Sequence, residues 1–510
     1  MRRYMSVGLV VAAVLATAAV PSFGSARSDP LAEFHAQPIT WTPCKQLLEC
    51  AELVLPLDYA RPEAERISLV ISRKKATDPA RRRGVLLLNP GGPGGSGLGM
   101  PLFLAGSEPA KVYDLIGFDP RGVGSSTALT CRTVPELATL DTRPADSEFP
   151  KWAAEAHAAE DACQRAAGGI RQFVNTANTA RDMDVVRAVL GEDKLNYLGY
   201  SYGTYLGAVY GSLFPSRLDR SVLDSSVHPE WIWREQFRQQ AVALRRNVDL
   251  WAAWVAQHHD RFTLGATPDA VLATVEGVAT ALAAKPVGTQ SRTRFDAAVG
   301  VGARYRPLWA DLATTVADLQ TGVTSEASAL MAGEAHDDLV SGVFNTVRCE
   351  ADWPTDMETY YEDMRVFRDR YPYGFGLLRV APTTCAFRTF TPPEPPVELK
   401  RDGYPIGVVV QAEGDTQTQY EGGPAMAERL RHNLVTVLDE GKHGIYGSGN
   451  ACVDRAVNRY LVHGVLPPSS STCPGDARPE VGQGTALQQS QTTAQHVQTY
   501  LDGRGLSALP

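Results

Sequence analysis

Three side chains in this sequence have the chemistry and the setting to cleave an acyl bond. Gly199-Tyr200-Ser201-Tyr202-Gly203 follows an apolar run at 195–199 and opens a helical pattern over 204–214 that Pro215 ends. A serine hydroxyl is a poor nucleophile unless it is held rigidly beside a base. A sharp strand-to-helix turn lifts such a hydroxyl clear of a sheet, and flanking glycines leave room for its strained backbone. The helix start adds a field that favours developing negative charge. Ser201 is therefore the candidate nucleophile, set against the plainer reading of a Gly-rich structural turn. Of ten histidines, His443 is the candidate base, because Glu440-Gly441-Lys442-His443-Gly444 forms a loop just after the apolar run 434–438. His258-His259, by contrast, reads as an exposed helix end. The candidate acid lies one strand earlier, in Glu413-Gly414-Asp415-Thr416 after the run 407–411. Asp415 there would fix the imidazole tautomer and stabilise its charged form. Glu413 competes for that role, while Asp439 reads as a turn residue.

A second Gly-rich stretch, Asn89-Pro90-Gly91-Gly92-Pro93-Gly94-Gly95-Ser96-Gly97, follows the run 84–88. Glycines let backbone N–H groups point inward without side-chain obstruction. An amide near Gly92, joined by that of Tyr202, would form an oxyanion hole. The alternative for such glycines is a phosphate loop, but the lysine of that motif and the acidic partner of the dinucleotide motif are both missing.

These residues need elements to position them. Short Val-, Ile- and Leu-rich runs occur at 52–59, 67–74, 84–89, 113–119, 195–199, 221–224, 407–411 and 434–438, bounded by Gly, Pro and Asp. Several are continuously apolar, as in strands of a mostly parallel sheet covered on both faces. Between two of them a helix is predicted: Thr179 and Asp182 form a capping box, Met183, Val186, Val189 and Leu190 make its stripe, and Gly191 ends it. Alternating strands and helices give the α/β class. The chain order Ser201, Asp415, His443 is that of an α/β-hydrolase fold, a mostly parallel sheet with helices on both faces and a helical cap. The cap is expected at 228–396, where the strand rhythm lapses and helical spacing appears at 237–255, 268–284 and 308–320. The core then comprises 39–227 and 397–473, followed by a polar tail at 474–510.

The 510 residues are 44% hydrophobic with a formal charge of −8, and the longest basic run is Arg81-Arg82-Arg83, so nucleic-acid binding has no support. Arg2-Arg3, the apolar stretch 7–20 and Gly24-Ser25-Ala26 read as an export signal over 1–26. That stretch is short for a membrane span, and none follows. The paired arginines hint at twin-arginine export, but the motif around them is incomplete. A short pro-segment at 27–38 would fit. Eight cysteines in an exported chain read as disulfides. Nearest-neighbour spacing pairs Cys44 with Cys50, Cys131 with Cys163, Cys349 with Cys385 and Cys452 with Cys473. No metal-ligand motif and no cofactor motif is present.

On 89–97, Gly117-Phe118-Asp119-Pro120-Arg121-Gly122-Val123-Gly124-Ser125-Ser126, 178–190, 195–214, Val222-Leu223-Asp224-Ser225-Ser226-Val227, the two triad loops and the last cysteine pair, the sequence resembles the secreted bacterial tripeptidyl aminopeptidases, relatives of the prolyl aminopeptidases. The resemblance spans nearly the whole mature chain and is loosest in the cap. It departs at Gly414-Asp415-Thr416-Gln417-Thr418-Gln419-Tyr420, where relatives usually carry Thr-Pro before the aromatic; this predicts a looser acid loop, with the Asp kept. The resemblance implies an exopeptidase that releases tri- or tetrapeptides from free N-termini of peptides or proteins, some relatives preferring proline before the cut. Such an enzyme needs an anion at a fixed distance from Ser201 to hold the substrate ammonium. Arg348-Cys349-Glu350-Ala351-Asp352-Trp353 supplies the candidates Glu350 and Asp352. Trp353, with Trp231 and Trp233, would line an apolar pocket, although aromatic residues more often build core. Arg121 reads as a structural ion-pair former. Two alternatives stay open: a secreted esterase or lipase with the same triad, and a non-catalytic binding protein on the same fold.

Overall fold

Continuously apolar runs become strands wherever both faces of the sheet are covered. The computed structural model describes residues 29–44, 47–131, 141–288, 290–323 and 342–481; the export signal read at 1–26 and the tail from 482 onward lie outside the described residues. Among the described residues ten strands form one sheet: β1 (Thr42–Cys44), β2 (Leu48–Pro56), β3 (Arg66–Lys74), β4 (Val85–Asn89), β5 (Asp114–Phe118), β6 (Leu195–Tyr200), β7 (Leu218–Asp224), β8 (Val408–Ala412), β9 (Asn433–Leu438) and β10 (Ser470–Pro474). Their order is β1-β2-β3-β5-β4-β6-β7-β8-β9-β10. Pairings from β1 to β5 across β2 and β3 are antiparallel, and every pairing from β5 to β10 is parallel.

All residues of β4, β6 and β8 are buried. Along β4 the side chains alternate between two cores. Val85 and Leu87 join Leu53, Met183, Tyr205 and Val409 on one face, and Leu86 and Leu88 join Leu198, Val410, Val437 and Val457 on the other. That is the period-two geometry of a strand with helices on both sides. Each of the eight predicted runs overlaps one of these strands, with ends that differ by up to four residues. β1 and β10 escaped sequence reading because they are edge strands without an apolar pattern. Parallel pairing with β9 and the Cys452–Cys473 disulfide hold β10 in place. The other disulfides join Cys44 to Cys50, Cys131 to Cys163 and Cys349 to Cys385, the nearest-neighbour pairs.

Between β7 and β8 the chain passes through helices Arg234–Gln257, Pro268–Ala284, Arg292–Arg304, Trp309–Gln320 and Met357–Arg370. Four of them close over a core of their own built around Trp251, Trp254, Trp309, Val271 and Val275. Burial of one apolar stripe from each helix in this core explains the helical spacing of the sequence there.

One helix start needs correcting. The helix read from a Thr179/Asp182 capping box spans Thr176–Val189 and is capped by Asn175, whose side chain accepts from the Asn178 amide. Thr179 lies inside the first turn and donates its hydroxyl to the Asn175 carbonyl. Asp182 is taken by another task. Its carboxylate receives Nε and Nη2 of Arg121 at 2.7 and 2.6 Å and the Tyr59 hydroxyl at 2.7 Å. Arg121 also donates to the carbonyls of Leu57, Phe173 and Pro56, and thus pins β2 to the helix layer. Arg121 and Asp182 are 1% and 0% exposed, so the pair is fully desolvated.

A buried guanidinium stripped of its carboxylate is costly. Asp182→Ala is expected to lower the unfolding free energy by about 3–5 kcal/mol in urea titrations, whereas an exposed-pair change such as Glu108→Ala shifts it by less than about 1 kcal/mol.

Candidate active site

The sheet delivers a serine to its carboxyl edge in a backbone conformation that few residues tolerate. β6 ends at Tyr200, and Ser201 then adopts φ 57° and ψ −127° before the helix Tyr202–Leu213 begins. A β-carbon at Gly199 would lie 2.4 Å from the Gly203 carbonyl oxygen, so only glycine lets helix and strand cross so closely. The Gly-rich loop after β4 presses on the same turn: a β-carbon at Gly91 would sit 2.5 Å from the Tyr200 oxygen and 2.8 Å from Ser201 Cβ. The Gly91 amide donates to Asn89 Oδ1, and the Gly95 amide to the Gly91 carbonyl. Gly92 has φ 109°, and among the described residues its amide donates to no protein group. Tyr202, as the first helical residue, has no intrahelical acceptor for its own amide. Two unspent donors therefore flank Ser201.

Asp415 and His443 meet. Asp415 Oδ2 accepts from His443 Nδ1 at 2.8 Å. The carboxylate is 1% exposed and also receives the amides of Gln417 and Thr418 on Oδ1 and the Thr418 hydroxyl on Oδ2. That hydroxyl lies 3.4 Å from His443 Nδ1, so Thr418 braces both partners. The imidazole side chain keeps 21% of its surface open, enough to meet a ligand from the cleft side. Glu413 is not at the ring; it accepts the Asp439 amide instead. Asp439 sits in a turn with φ 48° and pairs with Arg306 and Arg478.

The acid loop is firmly held despite lacking the proline of its relatives. From the cap helix Arg234–Gln257, Gln236 Nε2 and Gln240 Nε2 both donate to the Gln417 carbonyl, and Asn247 Nδ2 donates to that of Gly414. From below, Gln411 Nε2 donates to the Thr418 carbonyl. The loosening expected from the missing proline is thereby offset by side-chain amides that no motif points to. Asp224 and Ser225, at the end of β7, were likewise not singled out for the site. The Asp224 carbonyl accepts from the Ser201 amide at 3.0 Å, and its carboxylate receives the amides of Ile445 and Tyr446 just after His443.

Glu350, Asp352 and Trp353 part company. Glu350 is buried, and its carboxylate already accepts from the amide and hydroxyl of Thr176 and from Trp233 Nε1. Burial pushes its pKa up to about 7 against the pull of these hydrogen bonds. It stands behind the nucleophile helix, where the Thr176 hydroxyl also meets the Tyr202 phenol at 2.9 Å. Asp352 points to solvent with its side chain fully exposed, 3.5 Å from Arg388. Trp353 is half-buried against Phe237 and donates to the Arg348 carbonyl. Trp233 is core, while Trp231 stacks on His228. Among the described residues no cluster of three His, Cys, Asp or Glu side chains is arranged to hold a metal ion.

This arrangement agrees with the relatives of the chain. Residues 84–315 match a family model described as the alpha/beta hydrolase fold, and residues 371–473 match one described as TAP-like protein. The chain is 35% identical over 457 residues to the tripeptidyl aminopeptidase of Streptomyces lividans, covering 85% of this chain and 84% of that protein. It is 31% identical over 484 residues to the serine protease Hip1 of Mycobacterium tuberculosis, covering 86% and 91%. It is 30% identical over 515 residues to carboxylesterase B of the same organism, covering 92% and 97%.

Because Glu350 holds its proton more tightly when folded than its ordinary value of 4.5, the native state binds the extra proton between pH 4.5 and about 7. Its burial therefore costs nothing below that window and its full penalty above it. The stability gap between wild type and Glu350→Gln, read from urea melts, is expected to move by up to about 3 kcal/mol in favour of the glutamine variant from pH 4.5 to pH 8.

Proposed function

The chain belongs to the tripeptidyl-aminopeptidase-like serine peptidases of the α/β-hydrolase fold, and from that membership we propose that it is an exported exopeptidase releasing tripeptides from free N-termini. The observation that carries the reading is the His443–Asp415 contact at 2.8 Å, in a loop tethered to the turn that bears Ser201. In this mechanism Ser201 attacks the scissile carbonyl while His443 takes its proton, and Asp415 holds the imidazole and offsets its charge. The amides of Tyr202 and Gly92 receive the oxyanion. His443 then protonates the leaving amine and activates water to release the acyl product. Tetrapeptide release and a preference for proline before the cut belong to the same reading and differ only in the depth and lining of the cleft.

Holding the ammonium of the substrate falls to the segment 350–352. Asp352 is its solvent-open carboxylate and Glu350 the buried one behind it. Export is supported by the leader-like residues 1–26 and by four disulfides; among the described residues no helix is long and apolar enough to cross a membrane. A second reading, an esterase with the same machinery, is favoured by the likeness to carboxylesterase B.

Digestion of one long peptide with a free N-terminus, followed by mass spectrometry, is expected to show successive losses of three residues. Acetylating that N-terminus should cut kcat/KM by about tenfold or more, and Asp352→Asn should raise KM for the free peptide while leaving the acetylated one unaffected. Equal rates on both peptides, or ester turnover alone, would establish the esterase. Ser201→Ala and His443→Ala are each expected to lower kcat by about 10⁴-fold or more.

A further inference from the structure

The base in this site hangs from a loop that has little to stiffen it. Gly441, Gly444 and Gly447 punctuate residues 441–447, with φ of 75° at Gly444 and 78° at Gly447. Asp415 touches only the ring of His443, so something else must fix the backbone from which the ring projects. The last residues of β7 do so. Ser225 Oγ accepts from the Gly444 amide at 2.8 Å, Asp224 Oδ1 and Oδ2 each accept from the Ile445 amide at 3.1 Å, and Asp224 Oδ2 accepts from the Tyr446 amide at 2.6 Å. Three consecutive amides after the histidine are thus fastened to two residues. The same Asp224 pairs with Tyr200 in the β6–β7 register, and its carbonyl accepts from the Ser201 amide at 3.0 Å.

We propose that Asp224 is a positioning residue that sets His443 against Ser201, its carbonyl fixing the nucleophile turn and its carboxylate fixing the histidine loop. The proposal rests on the reading of Ser201, Asp415 and His443 as the triad, and it adds a role for a second acid that never touches the substrate.

Two features argue for a carboxylate rather than any small polar group. Donors converge on both oxygens: the amides of Ile445 and Tyr446 and the hydroxyl of Ser225, which lies 3.0 Å from Oδ1. An asparagine would turn an NH₂ group towards one of them. In addition, Asp224 is 0% exposed and, among the described residues, has no arginine or lysine partner, an expensive place for a charge. Burial pushes its pKa up to about 6 in spite of those hydrogen bonds. The charged group it faces is His443 itself. Tyr200, from β6, is the other titratable neighbour; its hydroxyl donates to the Tyr446 carbonyl and braces the same loop. From β8, the Val410 carbonyl accepts the Ser225 amide and adds no charge. An anion held on the amides that follow His443 also stabilises the imidazolium formed during attack, which a neutral anchor would not do.

The test compares wild type, Asp224→Asn and Ser225→Ala by turnover of a p-nitrophenyl ester, by the rate of Ser201 labelling with a fluorophosphonate, and by thermal melting. Both chemical readouts report the triad whatever the peptide specificity. Asp224→Asn is expected to lower kcat about 30-fold or more at pH 8 with KM within about twofold, and to slow labelling in parallel. Its melting midpoint at pH 8 should stay close to wild type, because relief of a buried charge offsets the mismatched amide. Protonation of Asp224 should contribute to the acid limb of the wild-type rate profile, and that contribution should be absent from the variant's. Ser225→Ala, which keeps the acid, should lose about fivefold in kcat. An Asp224→Asn protein with wild-type kcat, or one whose loss of rate comes with a higher KM and a lower melting midpoint, overturns the proposal. Should that variant not fold, wild-type kcat in Ser225→Ala overturns it instead. Ester turnover without tripeptide release from the wild type would reject the peptidase reading and leave this one standing, whereas full activity in Ser201→Ala would reject the triad itself.

Discussion

A serine at φ 57° is a strained residue, and it persists only because its surroundings over-determine it. The parallel sheet supplies that determination. Pairing of β6 with β4 and β7 brings the Gly-rich loop, the serine turn and the end of β7 to one edge. Gly199 lets the helix fold back over the strand, Gly91 lets the neighbouring loop lie against the turn, and the Asp224 carbonyl ties down the serine amide. Each of these depends on the others being in register, so a shift of any one strand would disperse the site.

Buried charge occurs at several places around the sheet. Arg121–Asp182 and Arg171–Glu160 are desolvated ion pairs in the helix layer. Glu350 and Asp224 are buried carboxylates held by N–H and hydroxyl donors, with no arginine or lysine partner among the described residues. Such groups stabilise little on balance, since desolvation opposes the hydrogen bonds they gain. What they provide is geometry: each joins backbone segments far apart in sequence, such as 57, 121, 173 and 182, or 224 and 445, into one rigid frame. Their cost is met by the two apolar cores on the faces of the sheet and by the separate core of the cap.

The cap contributes to the site through polar contacts with the triad loops as well as by covering the cleft. Gln236, Gln240 and Asn247 from one cap helix hold the backbone of the acid loop, and Arg306 reaches from the cap to Asn247 and Asp439. Two carbonyls of that loop are satisfied by these amides, which fasten it to the helix Arg234–Gln257.

The eight apolar runs, the class of the fold, the disulfide partners and the loops that bring Asp415 to His443 were legible in the sequence. They depend on local signals: period-two burial, cysteine spacing, and loops that begin where apolar runs end. The edge strands β1 and β10 were not legible, because their stability comes from pairing and a disulfide rather than from apolar residues of their own. Nor was the start of the 176–189 helix, where Asn175 caps as well as any threonine and Asp182 is claimed by an arginine 61 residues away. Glu350 and Asp352 looked alike on paper; tertiary packing buried one and left the other in water. Asp224, Ser225, Gln236 and Gln240 show the same limit, since a hydrogen bond between residues far apart in the chain has no spacing to read. Sequence fixes which groups have the right chemistry, and only the folded chain decides which donors and acceptors come within three ångströms of one another.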